Sequence, residues 1–167
     1  DQIKKFSSNS FLHPIGIIIL LIFAIFIRTP FFNVPMISDE GGYAYVARFW
    51  TSTYQLYRDI PFDRPQGIFL IYKFILALFG RDIVSIRFAA AVWNVMTLIL
   101  LFIFTRDVFG WNAAYVSSFI FALFSTSPRI EGFTANAELF TLLPLVLAAW
   151  LTWWGRRRWA FITPWKT

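Results

Sequence analysis

Apolar residues gather in four long stretches, and the polar residues collect in the segments between them and at the two ends. The first stretch covers about residues 11–32, with Ile15 to Ile27 as its apolar centre. The others cover 88–104, 113–128 and 139–154. Their centres hold 13–17 residues, slightly short of the roughly 20 that a hydrocarbon core requires. Phe, Tyr and Trp at their ends extend each stretch into the interface, and most of the 8 Trp lie there. With no polar faces left to form a water-exposed surface, the four are expected to be transmembrane helices.

Two further segments have helical patterns but different lengths. Gly67 to Gly80 is an apolar run of 14 residues with Lys73 at its middle, about 21 Å as a helix. That is short and polar-centred, so a helix over 66–79 is expected to lie at the interface. In the segment 39–52, Tyr43, Val46, Ala47 and Trp50 share one helical face and Arg48 falls on another. This predicts a second amphipathic helix on the membrane surface. The expected fold is therefore all-α and integral to the membrane, with about four transmembrane helices and two interfacial helices in a long first outer loop.

Composition agrees with insertion into a bilayer. Of 167 residues, 58% are hydrophobic and 14% charged, against about 25% charged in a soluble domain. The absence of cysteine removes disulfides and thiolate metal sites. The net charge of +6 is carried beside apolar spans, not as a stripe on a soluble surface, so nucleic acid is not an expected partner.

Charge also orients the chain. With four spans, Lys4, Lys5, Arg106, Arg156, Arg157, Arg158 and Lys166 fall on one side in short segments. The positive-inside rule makes that side cytoplasmic, with both termini, in what is expected to be the cytoplasmic (inner) membrane. Asp39, Glu40, Asp59, Asp63, Glu131 and Glu138 then share the outer face, and acids from two loops can meet there.

Ser38 is a candidate N-cap, with Asp39 and Glu40 in the first helical turn, where the helix dipole favours negative charge. Asp63-Arg64-Pro65 precedes the interfacial helix, and Arg58 or Arg64 could contact a phosphate. Glu138 opens the fourth span, with Thr134 or Asn136 as its cap. His13, the sole histidine, lies beside the first span far from the acids. Asn94 and Thr97 suit hydrogen bonds between helices. There is no Gly-rich nucleotide loop, Ser-His-Asp set or HExxH motif.

Taken in order, Ser38-Asp39-Glu40-Gly-Gly-Tyr43, Asp59-Ile60-Pro61-Phe62-Asp63-Arg64-Pro65-Gln66-Gly67, Ile86-Arg87-Phe88 and Asn136-Ala137-Glu138-Leu139 form a recognisable set. With the spans between them, they resemble the N-terminal part of the GT-C glycosyltransferases. The similarity is to the branch holding protein O-mannosyltransferases and lipid A aminoarabinose transferases, and it runs from about Ile15 to Trp154. The resemblance implies transfer of a sugar from a polyprenyl-phosphate donor to a lipid or protein acceptor on the extracytoplasmic face, with inversion. It implies Asp39, Glu40 and Glu138 as catalytic residues, and Arg58, Asp63 and Arg64 bordering the substrate. It leaves metal use open: a divalent cation, Mg²⁺ or Mn²⁺, would be held by Asp39 and Glu138. It also implies that the chain is the N-terminal portion of a longer fold. The alternative is a truncated, non-catalytic GT-C-like subunit of a larger complex, with other membrane subunits as partners.

Overall fold

The computed structural model describes residues 2–51 and 53–162, with side chains for 13–51 and 53–157. The side chains of Lys4, Lys5 and Arg158, and residues Ser52 and Lys166, lie outside the described residues. Six helices follow in order: α1 (Gln2–Phe26), α2 (Ser38–Phe49), α3 (Gln66–Leu78), α4 (Ile83–Phe109), α5 (Trp111–Phe124) and α6 (Ala137–Ile162). No strand occurs among the described residues, only an isolated bridge between Leu56 and Ile60. The all-α membrane architecture expected from hydropathy is the one observed.

Named contacts fix the helix directions. His13, midway along α1, stacks on Trp111 at the start of α5, and Arg28, past the C-terminal end of α1, donates to Ser125 O at the end of α5. Thus α1 and α5 run parallel. Gly110, with φ of +90°, turns α4 directly into α5, and the Asn94–Ser125 hydrogen bond makes those two antiparallel. Trp93 packs on Phe140 and Asp107 accepts from Trp150 Nε1, so α6 runs parallel to α4. The result is a bundle with α2, α3 and the segments 50–65 and 125–136 at one end. Arg106, Arg156 and Arg157 lie at the other end.

Among the described residues, three stretches are long and apolar enough to cross a membrane: His13–Phe31, Ile83–Phe109 and Ala137–Arg157. The expected third span is shorter. Helix α5 has 14 residues, about 21 Å, which falls below a hydrocarbon core of ~30 Å. It nevertheless shadows α4 from the Gly110 turn to the level of Asn94. Ala114, Ser118 and Ala122 are buried on α5 at four-residue spacing, and such small side chains let two membrane helices approach closely. Asn94 links α4 to α5 through the Ser125 hydroxyl at 3.3 Å. Thr97 does not join helices; it donates to Trp93 O within α4, 3.0 Å away.

Helix α4 exceeds the expected 88–104 at both ends because polar residues near its ends belong to it. Asp82 accepts from Ser85 N at 2.8 Å and caps the helix five residues early. The N–H and hydroxyl of Ser85 hold the Asp82 carboxyl below its ordinary 3.8. This cap is therefore complete above about pH 3.8 and is lost as pH falls through the lower folded value. Amide exchange at Ser85 is expected to accelerate in that acidic window, and Asp82→Ala should show the faster exchange at neutral pH.

Helix α2 differs from expectation in what its apolar face meets. Tyr43, Val46 and Ala47 are buried against Phe69, Tyr72 and Ile75 of α3, Ile86 and Ala90 of α4, and Leu139 and Phe140 of α6. The face that could have met lipid is covered by protein. Helix α3 carries two apolar faces: Ile68, Phe69, Tyr72 and Ile75 point inward, while Leu70, Phe74 and Leu78 are exposed. Lys73 is accommodated by Trp50, donating to its carbonyl at 3.0 Å and lying 4.9 Å above its ring. A helix with one face on protein and another apolar face outward suits a membrane interface.

Candidate active site

Consecutive residues in an α-helix are about 100° apart, so Asp39 and Glu40 face in different directions. Glu40 points inward and its side chain is fully buried. Its Oε2 accepts from Arg87 Nη2 at 2.7 Å, and that guanidinium is only 1% exposed. The same oxygen accepts from Ile37 N at 3.2 Å, and Oε1 accepts from Ala135 N at 2.6 Å. The first turn of α2 is thus capped by Glu40 from within, with Ile37 at the N-cap position, and not by Ser38. Asn136, one of two candidates, does cap α6, accepting from Leu139 N.

Arg87 completes a four-way junction. Its Nη1 donates to Phe133 O at 3.1 Å, and Nη2 also reaches Pro35 O at 3.5 Å. Tyr72 of α3 donates to Ala135 O at 2.6 Å, so Ala135 is held through both its N–H and its carbonyl. Burial pushes the Tyr72 phenol far above its ordinary pKa, which keeps it a donor. Arg28, also buried, donates to Ser125 O at 2.7 Å and Gly132 O at 3.2 Å. Two arginines therefore tie the segment 125–136, between α5 and α6, to α1, α2 and α4.

Asp39 points the other way and is 46% exposed. Arg64 Nη2 lies 3.6 Å from its Oδ2, and Tyr43 donates its hydroxyl to the same oxygen at 3.3 Å. The Tyr43 oxygen accepts in turn from Arg64 Nε at 3.4 Å. Burial raises the Tyr43 pKa, partly opposed by the Arg64 hydrogen bond, so the residue stays a neutral phenol at physiological pH. The Tyr43 bond and the neighbouring Asp63 and Asp39 hold Arg64 in its cationic form. Asp63 lies 3.7 Å from Arg64 Nη1 and is largely exposed.

A single glycine lets this arrangement form. A Cβ on Gly42 would meet the Phe62 ring at 2.7 Å. The bare α2 surface admits Phe62, which also packs edge-on against Phe69, and so brings the neighbouring Arg64 to Asp39. Tyr57, with φ of +70°, donates its hydroxyl to Arg64 O at 2.6 Å and fixes the loop from its other side.

The expected residues thus separate into groups. Asp39 and Arg64 come together, joined by the Tyr43 hydroxyl, and Asp63 lies beside Arg64. Glu40 joins the buried junction beneath them. Arg58 stands apart, exposed and 3.4 Å from Asp59. Glu138 lies exposed in the first turn of α6, and among the described residues no side-chain hydrogen bond or ion pair engages its carboxylate. Among the described residues the acids do not gather as a set of three metal ligands. Both Glu40 oxygens are taken by donors, and Asp39 is countered by Arg64. The motifs assign no role to Arg87 or Arg28. The signal for both is a cation flush with an apolar run, where burial demands a partner.

No curated protein and no solved structure matches the chain. Residues 63–164 match the dolichyl-phosphate-mannose-protein mannosyltransferase family, a segment that includes Arg64, Arg87 and Glu138 but begins after Asp39 and Glu40. With more than half of its length matched and an all-helical, membrane-type fold, the chain belongs to this family of GT-C-type membrane glycosyltransferases.

Proposed function

We propose that the chain transfers a sugar from a polyprenyl-phosphate carrier to a hydroxyl of a lipid or protein acceptor at the extracytoplasmic face, with inversion. The observation that carries this is the divergence of two adjacent acids: Glu40 is locked inside, while Asp39 is presented at the membrane edge beside a cation. Helices α1, α4, α5 and α6 cross the inner membrane in this proposal, with both termini cytoplasmic. The alternating direction of α1, α4, α5 and α6, and Arg106, Arg156 and Arg157 at the end away from Asp39, support it. The chain then forms the N-terminal portion of a GT-C fold.

Asp39 is the base. It takes the acceptor hydroxyl proton as that oxygen attacks the anomeric carbon, and the bond from carbon to phosphate oxygen breaks with its electron pair leaving on the phosphate. Arg64 faces the departing charge and lowers its cost. Tyr43 holds Asp39 and Arg64 in register through one hydroxyl. Glu40 and Arg87 position the first turn of α2 without touching substrate. Glu138, exposed at the same end, borders the acceptor side.

The test is a transfer assay in proteoliposomes with a polyprenyl-phosphate sugar, with a nucleotide sugar as the control donor. Transfer is expected from the lipid donor alone. Arg64→Gln is expected to raise KM for that donor on the order of tenfold, the worth of one charge-assisted hydrogen bond, with a smaller change in kcat. Transfer from the nucleotide sugar, or an unchanged KM in the variant, would overturn the donor assignment.

A further inference from the structure

At the end of the bundle away from Asp39, an apolar groove of about 490 Å³ opens between α1 and α5. Gly16, Ile19 and Phe23 form one wall, and Tyr115, Val116 and Phe119 the other. Three of its seven lining residues are exposed, with Ile19, Val116 and Phe119 61%, 59% and 47% accessible, while Leu20 is buried. The groove lies within the span His13–Phe31, so it faces the acyl region of a bilayer.

Beyond its Tyr115 end lies a polar, aromatic and cationic cluster linked to it by successive contacts. Tyr115 lines the groove and donates its hydroxyl to His13 O at 2.8 Å. His13 stacks on Trp111 with ring centroids 4.0 Å apart. Arg106 lies over the same indole, 5.5 Å from its centroid. Asp107 engages Arg106 only through Nε and Nη2, at 3.1 and 2.8 Å, leaving the Nη1 donors of a partly exposed guanidinium. Asp107 is also held by Trp150 Nε1, so it is doubly compensated. A cation and an aromatic platform at the head of an apolar slot are complementary to an anionic amphiphile.

We propose that this groove is a binding site for an anionic phospholipid of the leaflet opposite the sugar-transfer face. One acyl chain lies between Gly16 and Phe119, and the headgroup phosphate is held by Arg106 at the Trp111–His13 rim. The site is separate from the donor site, which needs its phosphate at Arg64, at the other end of the bundle.

The measurement is native mass spectrometry of the full chain taken from nanodiscs containing equal phosphatidylglycerol and phosphatidylcholine. Retention of phosphatidylglycerol is expected to exceed that of phosphatidylcholine several-fold. Arg106→Gln should remove the preference, and Val116→Trp, at an exposed wall position that tolerates bulk, should reduce retention of both lipids. Equal retention of the two lipids by the unaltered chain would overturn the proposal. So would a preference that survives Arg106→Gln and disappears in Arg156→Gln/Arg157→Gln, because the anionic lipid would then be gathered by the basic tail. Displacement of the retained lipid's advantage by millimolar inorganic phosphate would mean that a free anion, not a headgroup, is what Arg106 takes.

Discussion

Asp39→Asn is expected to abolish sugar transfer while leaving insertion and folding intact. The asparagine keeps the size of the side chain and can still accept from Tyr43, which donates to Oδ2 at 3.3 Å in the unaltered chain. It loses the ability to take the acceptor proton. Removal of a positioned base costs typically 10²- to 10⁴-fold in rate, so kcat should fall within that range while KM for the donor changes little. Because Asp39 is 46% exposed and Arg64 beside it is 41% exposed, solvent replaces much of the lost ion pair and the melting temperature should hold. Transfer at an unaltered rate would remove Asp39 from the chemistry and favour a non-catalytic role for the chain. A loss of both melting temperature and transfer would instead place Asp39 with Glu40 among the structural acids.

The second large effect is expected from the buried junction. Arg87→Met leaves the Glu40 carboxylate without a counter-charge in a site from which its side chain is fully excluded from water. Breaking one side of such a pair typically costs about 3–5 kcal/mol, whereas replacing both partners with apolar or neutral groups is often nearly neutral. Glu40→Gln/Arg87→Met is therefore expected to be more stable than Arg87→Met alone. The coupling is read from thermal unfolding of the four chains in one detergent. Simple additivity would mean that the pair is not the unit holding the outer loops. The double variant should recover folding without full transfer. The new amide has one acceptor oxygen where the carboxylate had two, so it can serve Ala135 N or Ile37 N but not both, and the thioether has no donor for Phe133 O.

These two substitutions fall on and beside one acidic pair, and that pair shows where sequence information stops. An acidic pair at the start of an amphipathic helix predicts one or two carboxylates in the first turn, and both are found there. Which of the two is buried depends on where Arg87 lies, 47 residues from Glu40. Ser38 is the better cap by residue type, but a side chain already anchored by Arg87 can reach back to Ile37 N, and it takes that role instead. The Arg64–Asp39 pairing likewise needs Phe62 to find the bare surface at Gly42, a contact between α2 and a loop about twenty residues on.

Solvent sets whatever is legible without a structure. Apolar runs of this length have one favourable environment, the acyl interior of a bilayer. The membrane class and the helical fold follow from the amino-acid order alone. The helix at 66–79 was legible too, observed as Gln66–Leu78, because its length and period are local properties. Tertiary structure decided whatever depends on a partner. The limits of α4 moved outward from 88–104 to Ile83–Phe109 because Asp82 caps the helix and Arg87 is neutralised inside it. The apolar face of α2 turned to α3 and the ends of α4 and α6, not to lipid, because those elements offered a closer-packed apolar surface. The different burial of Asp39 and Glu40 came from the same cause: a charge is buried only where an opposite charge and donors from distant segments converge on it.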